Sequence, residues 1–177
     1  VHFTIGDYVL DIAQNAIEAG ARTIVVELDE KADCTSVRVT DDGCGMSEDE
    51  KTRALDPFYT DGIKHKNRRV GLGIPFLVQA VEQAGGRWSI ESRKGEGTRV
   101  SFTFPAASLD SPPMGDLPSV FLALLCFPGD HELRIKRSGR RGGYEISRRE
   151  LAEAVGGLEL GSSLAAVKDF LISQEEE

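Results

Sequence analysis

The chain has 177 residues, 40% hydrophobic and 28% charged, with 29 acidic against 21 basic side chains and a net charge of −8. That composition supports a packed core and excludes wholesale disorder, and the acidic excess is shared evenly between residues 1–105 and 106–177, so neither part is a basic nucleic-acid-binding domain by bulk charge. Cys34, Cys44 and Cys126 lack metal-ligand spacing, no signal-peptide pattern opens the chain, and the longest apolar run, 120–127, is less than half a membrane span; a cytoplasmic protein without membrane or nucleic-acid partners is expected.

Between residues 7 and 19, Val9, Ile12, Ala13, Ala16 and Ile17 recur at helical spacing, and Gly20 follows where a helix would end. At roughly 100° per residue, Asp11, Gln14, Asn15 and Glu18 form a stripe on the opposite face. The runs 23–28 (TIVVEL) and 36–40 (SVRVT) read as strands. After Asp41-Asp42-Gly43-Cys44-Gly45-Met46, the polar stretch 47–70 predicts a short helix and then a loop long enough to be a lid. Helical periodicity resumes over 74–84, with Pro75 near the first helical position and Gly85-Gly86 past the end. Residues 88–92 and 99–104 alternate as strands around Lys94-Gly95-Glu96-Gly97-Thr98.

Pro105 and the stretch 106–116, with Pro112-Pro113 inside it, read as a linker. Beyond it, 117–127 predicts a buried helix and 133–137 with 144–147 a hairpin. Ser147 and Glu150 predict a capping box for a helix through Val155, and a last helix spans about 163–172. The expected organisation is thus a domain over 1–105, a linker over 106–116 and a small α+β appendage over 117–177. The appendage holds Arg134, Lys136, Arg137, Arg140, Arg141, Arg148 and Arg149, read either as a docking patch or as cations protecting a hairpin edge.

Nineteen glycines are present, and six of them cluster in DDGCGM, GLGIPF and GEGT. No Walker-type Gly-x-x-x-x-Gly-Lys-Ser/Thr string occurs, and neither Gly-x-Gly pair has the third glycine of a dinucleotide fingerprint. The order of the pieces is informative: a helix bearing Asp11 and Asn15, a strand, Asp-x-Gly-x-Gly, DPFYTD, a basic loop, Gly-x-Gly opening a helix, a strand, and GEGT opening a strand. This series resembles the ATP-binding domain shared by DNA gyrase, the heat-shock chaperone of that group, histidine kinases and mismatch-repair ATPases (the GHKL superfamily, Bergerat fold). DIAQNAIEAGA is similar to the family's N box, DDGCGM to its first glycine box, DPFYTD to the histidine-kinase F box, and 70–105 to the remainder of a histidine-kinase ATP-binding domain.

The resemblance covers residues 3–105 and implies an α/β two-layer sandwich, with helices on one face of a mixed sheet and ATP or ADP bound with Mg²⁺ under the 47–70 lid. It makes Asp42 the reader of the adenine amino group, beside Gly43, Gly45 and Met46. Gly71, Leu72, Gly73 and Ile74 would offer a helix N-terminus to phosphate oxygens. Asn15 would be the Mg²⁺ ligand, Thr98 a support of the adenine network, and Lys64, Lys66 and Arg69 lid cations near the phosphates. Asp11 stands where hydrolytic members carry a water-activating glutamate, one methylene shorter, as the candidate catalytic base. The N box has a gyrase and mismatch-repair character while everything after it is kinase-like. His2, His65 and His131 are the only histidines, none in a His-Glu/Asp-x-x-x-Pro phosphoacceptor setting, and no dimerising helical hairpin precedes the domain, so a kinase of this type would act on a separate acceptor protein. His65 and His131 read as surface residues. Three uses of the site stay open: a histidine kinase-like regulatory phosphotransferase, a slow ATPase conformational switch, and a nucleotide-responsive binding module; a homodimer is compatible with each.

Overall fold

Short strands with one apolar face cannot be stable until that face is covered. The computed structural model, which describes residues 3–56, 73–139, 142–159 and 161–176, shows how this chain covers it. The elements are α1 (Ile5–Glu18), β1 (Thr23–Glu30), β2 (Cys34–Asp41), α2 (Glu48–Leu55), α3 (Gly73–Ala84), β3 (Arg87–Arg93), β4 (Gly97–Pro105), α4 (Leu117–Leu125), β5 (Glu132–Gly139), β6 (Gly142–Ser147), α5 (Arg148–Val155) and α6 (Gly161–Glu176). The strands form one mixed sheet in the order β3-β4-β2-β1-β5-β6, with β1 and β5 parallel and the other pairs antiparallel. The expected two-layer α/β arrangement is present.

Register explains the core. Ile146, Ile135, Val26, Val39, Val100 and Ile90 stand opposite one another across all six strands, making one apolar row beneath the helices. Val9, Ile12, Ala13 and Ala16 of α1, Leu77 and Val81 of α3, and Phe121, Leu124 and Leu125 of α4 bury themselves with that row in a single cluster. Helix α1 begins at Ile5, two residues before the expected start, because Thr4 and Asp7 form a reciprocal capping box. The opposite sheet face is polar: Glu27, Asp29, Ser36, Arg38, Ser101 and Lys136 alternate with the core residues, and Arg38 pairs with Glu27 at 3.5 Å.

The stretch read as a linker lies along α1, whose Ile5 and Gly6 amides donate to Pro113 and Met114 carbonyls at 2.9 Å each. The stretch read as an appendage supplies two strands to the same sheet and α4 and α6 to the same core. Three of its cations, Arg134, Arg137 and Arg148, have partners within the fold. Arg137 pairs with Glu30 at 2.6 Å, and Arg148 donates to the carbonyls of Leu125, His131 and Phe127, closing the end of α4. His131, expected at the surface, is 6% exposed; burial and the adjacent Arg148 charge hold its pKa below the ordinary value. Ser147 caps α5 as expected, but its hydroxyl donates to Glu132 at 2.6 Å, and Glu132 also accepts from the Arg149 amide. Arg140 and Arg141 lie outside the described residues.

One shared core has a thermodynamic consequence. Ile135→Ala removes a fully buried side chain of β5 and should cost about 3 kcal/mol. Calorimetric scanning should show the whole chain melting as one transition, lowered by about 9 °C. Two transitions, only one of them displaced, would show that the C-terminal strands unfold separately.

Candidate functional site

Alternation along the strands decides which polar groups enter the helix-facing layer. In β2, Val37 and Val39 face the core, so Asp41 does too; in β4, Phe102 and Val100 are followed by Thr98; in β3, Trp88 and Ile90 are followed by Ser92. Asp41 pairs with Thr98 and Thr98 with Ser92, so three polar side chains form one cross-strand row where the neighbouring strands place Leu133 and Ile24. Burial raises the Asp41 carboxyl above the ordinary value of 3.8, the amides of Gly43 and Thr98 pull it back, and the Asp42 charge pushes it up again. The Gly43 amide donates to Asp41 Oδ1 at 2.8 Å.

Asp42 is placed differently from the sequence expectation. One residue further along, it is exposed and on the other side of the chain, and its Oδ1 accepts from the Arg22 and Thr23 amides at 2.7 and 2.9 Å. Its carboxylate secures the start of β1, while the carboxyl of the helix-facing row belongs to Asp41.

The glycine box closes the row from above. Gly45 has φ +61°, and a Cβ there would stand 1.8 Å from the Arg93 carbonyl oxygen, so close backbone packing against the β3–β4 turn requires glycine. The Gly95 amide donates to the Cys44 carbonyl at 2.7 Å, and the Met46 amide to Ser92 Oγ at 2.8 Å. Beyond it, α2 is tied to the same turn. Lys94 contacts both Glu50 oxygens at 2.7 and 3.0 Å, and with the Ser47 cap it holds the Glu50 pKa down to about 2.

Helix α1 carries the polar stripe expected from the sequence. Asn15 is exposed, and Asp11, one turn earlier, is half-buried. A Cβ at Gly73 would stand 1.3 Å from Asp11 Oδ2, so the first residue of α3 passes directly against this carboxyl. Among the described residues Asp11 Oδ2 is buried without a hydrogen-bond partner, and burial, with the Glu18 charge, raises its pKa. Ile74 packs at the core margin. Lys64, Lys66, Arg69, Gly71 and Leu72 lie outside the described residues. The structure thus brings Asp11, Gly73 and Ile74 together at α1–α3, and Gly43, Gly45, Met46 and Thr98 together around the row. Asp41 and Ser92 join this candidate row without belonging to the expected site residues; the alternation Val37-x-Val39-x-Asp41 and Trp88-x-Ile90-x-Ser92 is the sequence signal for both.

The family model described as "Histidine kinase-, DNA gyrase B-, and HSP90-like ATPase" matches residues 4–108. The chain belongs to this ATPase family. Sporulation kinase E of Bacillus subtilis is 33% identical over 99 residues, covering 54% of this chain and 13% of that protein. The non-motile and phage-resistance protein of Caulobacter vibrioides is 31% identical over 109 residues, covering 57% of this chain and again 13% of the relative. The match therefore spans about one eighth of these relatives' length. The N-terminal domain of a DNA repair protein shares the fold, with a TM-score of 0.57 at 11% identity over 91% of this chain and 58% of that one. Its coverage extends past residue 108, as expected if β5 and β6 belong to the same sheet.

Asp11 carries a stability cost that can be measured. Its native pKa lies above the unfolded value, so the associated stability is complete below about pH 4 and is lost as pH rises through the native value. Asp11→Asn removes the buried charge and should raise the melting temperature of the nucleotide-free protein at pH 7 by about 3 °C, near 1 kcal/mol for a chain of this length. The advantage should shrink on acidification. An Asn variant no more stable than the parent at neutral pH would contradict this.

Proposed function

We propose that the chain binds ATP or ADP with Mg²⁺ between α1 and the Asp41–Thr98–Ser92 row, and that it acts in the cytoplasm as a histidine kinase-like phosphotransferase toward an acceptor on a separate protein. Asp41 is the observation that carries the binding step. A half-buried carboxylate at the end of a largely apolar face accepts from the Gly43 and Thr98 amides and keeps further lone pairs for a ligand. Adenine presents an amino donor beside a ring-nitrogen acceptor; Asp41 accepts from the first, and the Thr98 hydroxyl donates toward the second. Gly43 and Gly45 shape the loop above the base, and the amino end of α3, beginning at Gly73, favours phosphate oxygens.

The residues present fit Mg²⁺. The Asn15 amide oxygen is on the exposed α1 stripe, and among the described residues no group of three His, Cys, Asp or Glu side chains could hold a metal alone, so Asn15, phosphate oxygens and water would complete the shell. Bound there, the ion would neutralise phosphate charge during transfer. The kinase names of several relatives, Sporulation kinase E and Cell-division control histidine kinase PdhS among them, support phosphoryl transfer. Among the described residues no helix is long and apolar enough to cross a membrane.

A second reading, slow ATP hydrolysis, is favoured by Asp11. Its buried, unpartnered Oδ2 and raised pKa suit a base that takes a proton from water within about 3 Å as the water oxygen attacks the γ-phosphorus and ADP leaves.

Two measurements test these statements. In titration calorimetry with Mg-ATP, Asp41→Asn should weaken binding about 100-fold, near 2.7 kcal/mol, whereas Asp42→Ala should stay within about threefold and instead lose about 1 kcal/mol of stability. Equal binding by Asp41→Asn and the parent overturns the site. With γ-labelled ATP, label appearing on an added protein supports transfer, and free phosphate lost in Asp11→Asn supports hydrolysis. Neither product, with binding intact, leaves a nucleotide-responsive module.

A further inference from the structure

Ser92 is a buried polar side chain, 8% exposed, on the helix-facing side of an edge strand. Its Oγ lies 2.8 Å from the Met46 amide, 3.0 Å from the Gly97 carbonyl oxygen and 2.8 Å from Thr98 Oγ1. It is therefore the atom where the glycine box, the GEGT turn and the Asp41–Thr98 pair meet.

A hydroxyl has one proton and two lone pairs. The Met46 N–H, a donor only, occupies one lone pair of Ser92. Two oxygens, Gly97 O and Thr98 Oγ1, then compete for its single proton. When the proton goes to Gly97, the short approach to Thr98 requires Thr98 to donate to Ser92, and Thr98 offers only lone pairs to the site. When the proton goes to Thr98, the Thr98 proton is released toward the space beside Asp41. Directly opposed residues of an antiparallel ladder have Cβ atoms about 5 Å apart, so Asp41 and Thr98 then present an acceptor and a donor side by side.

We propose that Ser92 is a positioning residue that sets the direction of the Thr98 hydroxyl, making Thr98 the donor that meets the ring nitrogen of adenine while Asp41 accepts from the amino group. The inference rests on the adenine reading of the site and adds the group that orients it. Nucleotide binding selects the arrangement in which Ser92 gives its proton to Thr98 and the Gly97 carbonyl gives up that bond. Ser92 acts only through Thr98 and the Met46 amide and touches no substrate atom.

The test compares ATP with 1-deaza-ATP, which lacks the ring-nitrogen acceptor, as Mg²⁺ complexes in titration calorimetry of the full chain. Ser92→Ala should weaken ATP about 10-fold while changing 1-deaza-ATP less than twofold, and Ser92→Thr, which keeps the hydroxyl, should restore ATP to within threefold. Thr98→Val should reproduce the Ser92→Ala pattern, and the double variant should lose little beyond Thr98→Val alone. Ser92→Cys fills a similar volume with a weak donor and is scored by the same ratio if the Ala variant does not fold. Equal losses for both nucleotides, unchanged ATP affinity, or multiplying single effects would overturn the role of Ser92. A parent chain that fails to bind ATP would instead overturn the adenine reading itself.

Discussion

Side-chain alternation on three neighbouring strands is the constraint on which the site depends. Because Val37, Val39, Val100, Phe102 and Ile90 must face the helices, the next residue of the same parity on each strand is carried into that layer as well. Those residues are Asp41, Thr98 and Ser92. They replace hydrocarbon with a carboxyl and two hydroxyls at one end of the sheet, at a cost in stability that amides of Gly43, Thr98 and Met46 partly offset. A one-residue slip in β2 would put Asp42 inside and Asp41 outside, and would turn both valines to solvent. The register that holds the core is thus the register that builds the site.

The same logic extends to the C-terminal strands. Asp42 holds the Arg22 and Thr23 amides, the Arg22 carbonyl accepts from the Glu132 amide at 2.8 Å, and Glu132 in turn holds Ser147 and the Arg149 amide. A continuous set of hydrogen bonds therefore runs from the glycine box, through the start of β1 and β5, to the start of α5. Residues beyond 105 complete the sheet on the β1 side of β2, β4 and β3 and bury Phe121, Leu124 and Leu125 against α1 and the sheet. Among the described cations, Arg134 and Arg137 form ion pairs and Arg148 caps carbonyls inside the fold.

Much of this was legible in the sequence because it is periodic. The stripe of α1, the strands around GEGT and the apolar helix after residue 116 each declare their own period, and the motif order points to the family. Pairing between β1 and β5 was not legible: TIVVEL and LRIKR both alternate, but nothing local says that strands separated by some hundred residues lie side by side, and Pro112-Pro113 resembles a boundary. The inward place of Asp41 is legible, since which of two adjacent aspartates faces the helices is a question of parity that Val37 and Val39 answer. The Ser92 hub required the register of β3 on β4. His131 is buried with its carbonyl held by Arg148, seventeen positions away, and this has no local signature.

The most direct test is a crystal structure of the chain with Mg²⁺ and a non-hydrolysable ATP analogue. The adenine amino nitrogen should lie about 3 Å from an Asp41 carboxylate oxygen, with Thr98 and Ser92 continuing the hydrogen-bonded row and Asp42 still on the Arg22 and Thr23 amides. A base seated on Asp42, or on the open polar face of the sheet, would contradict the account.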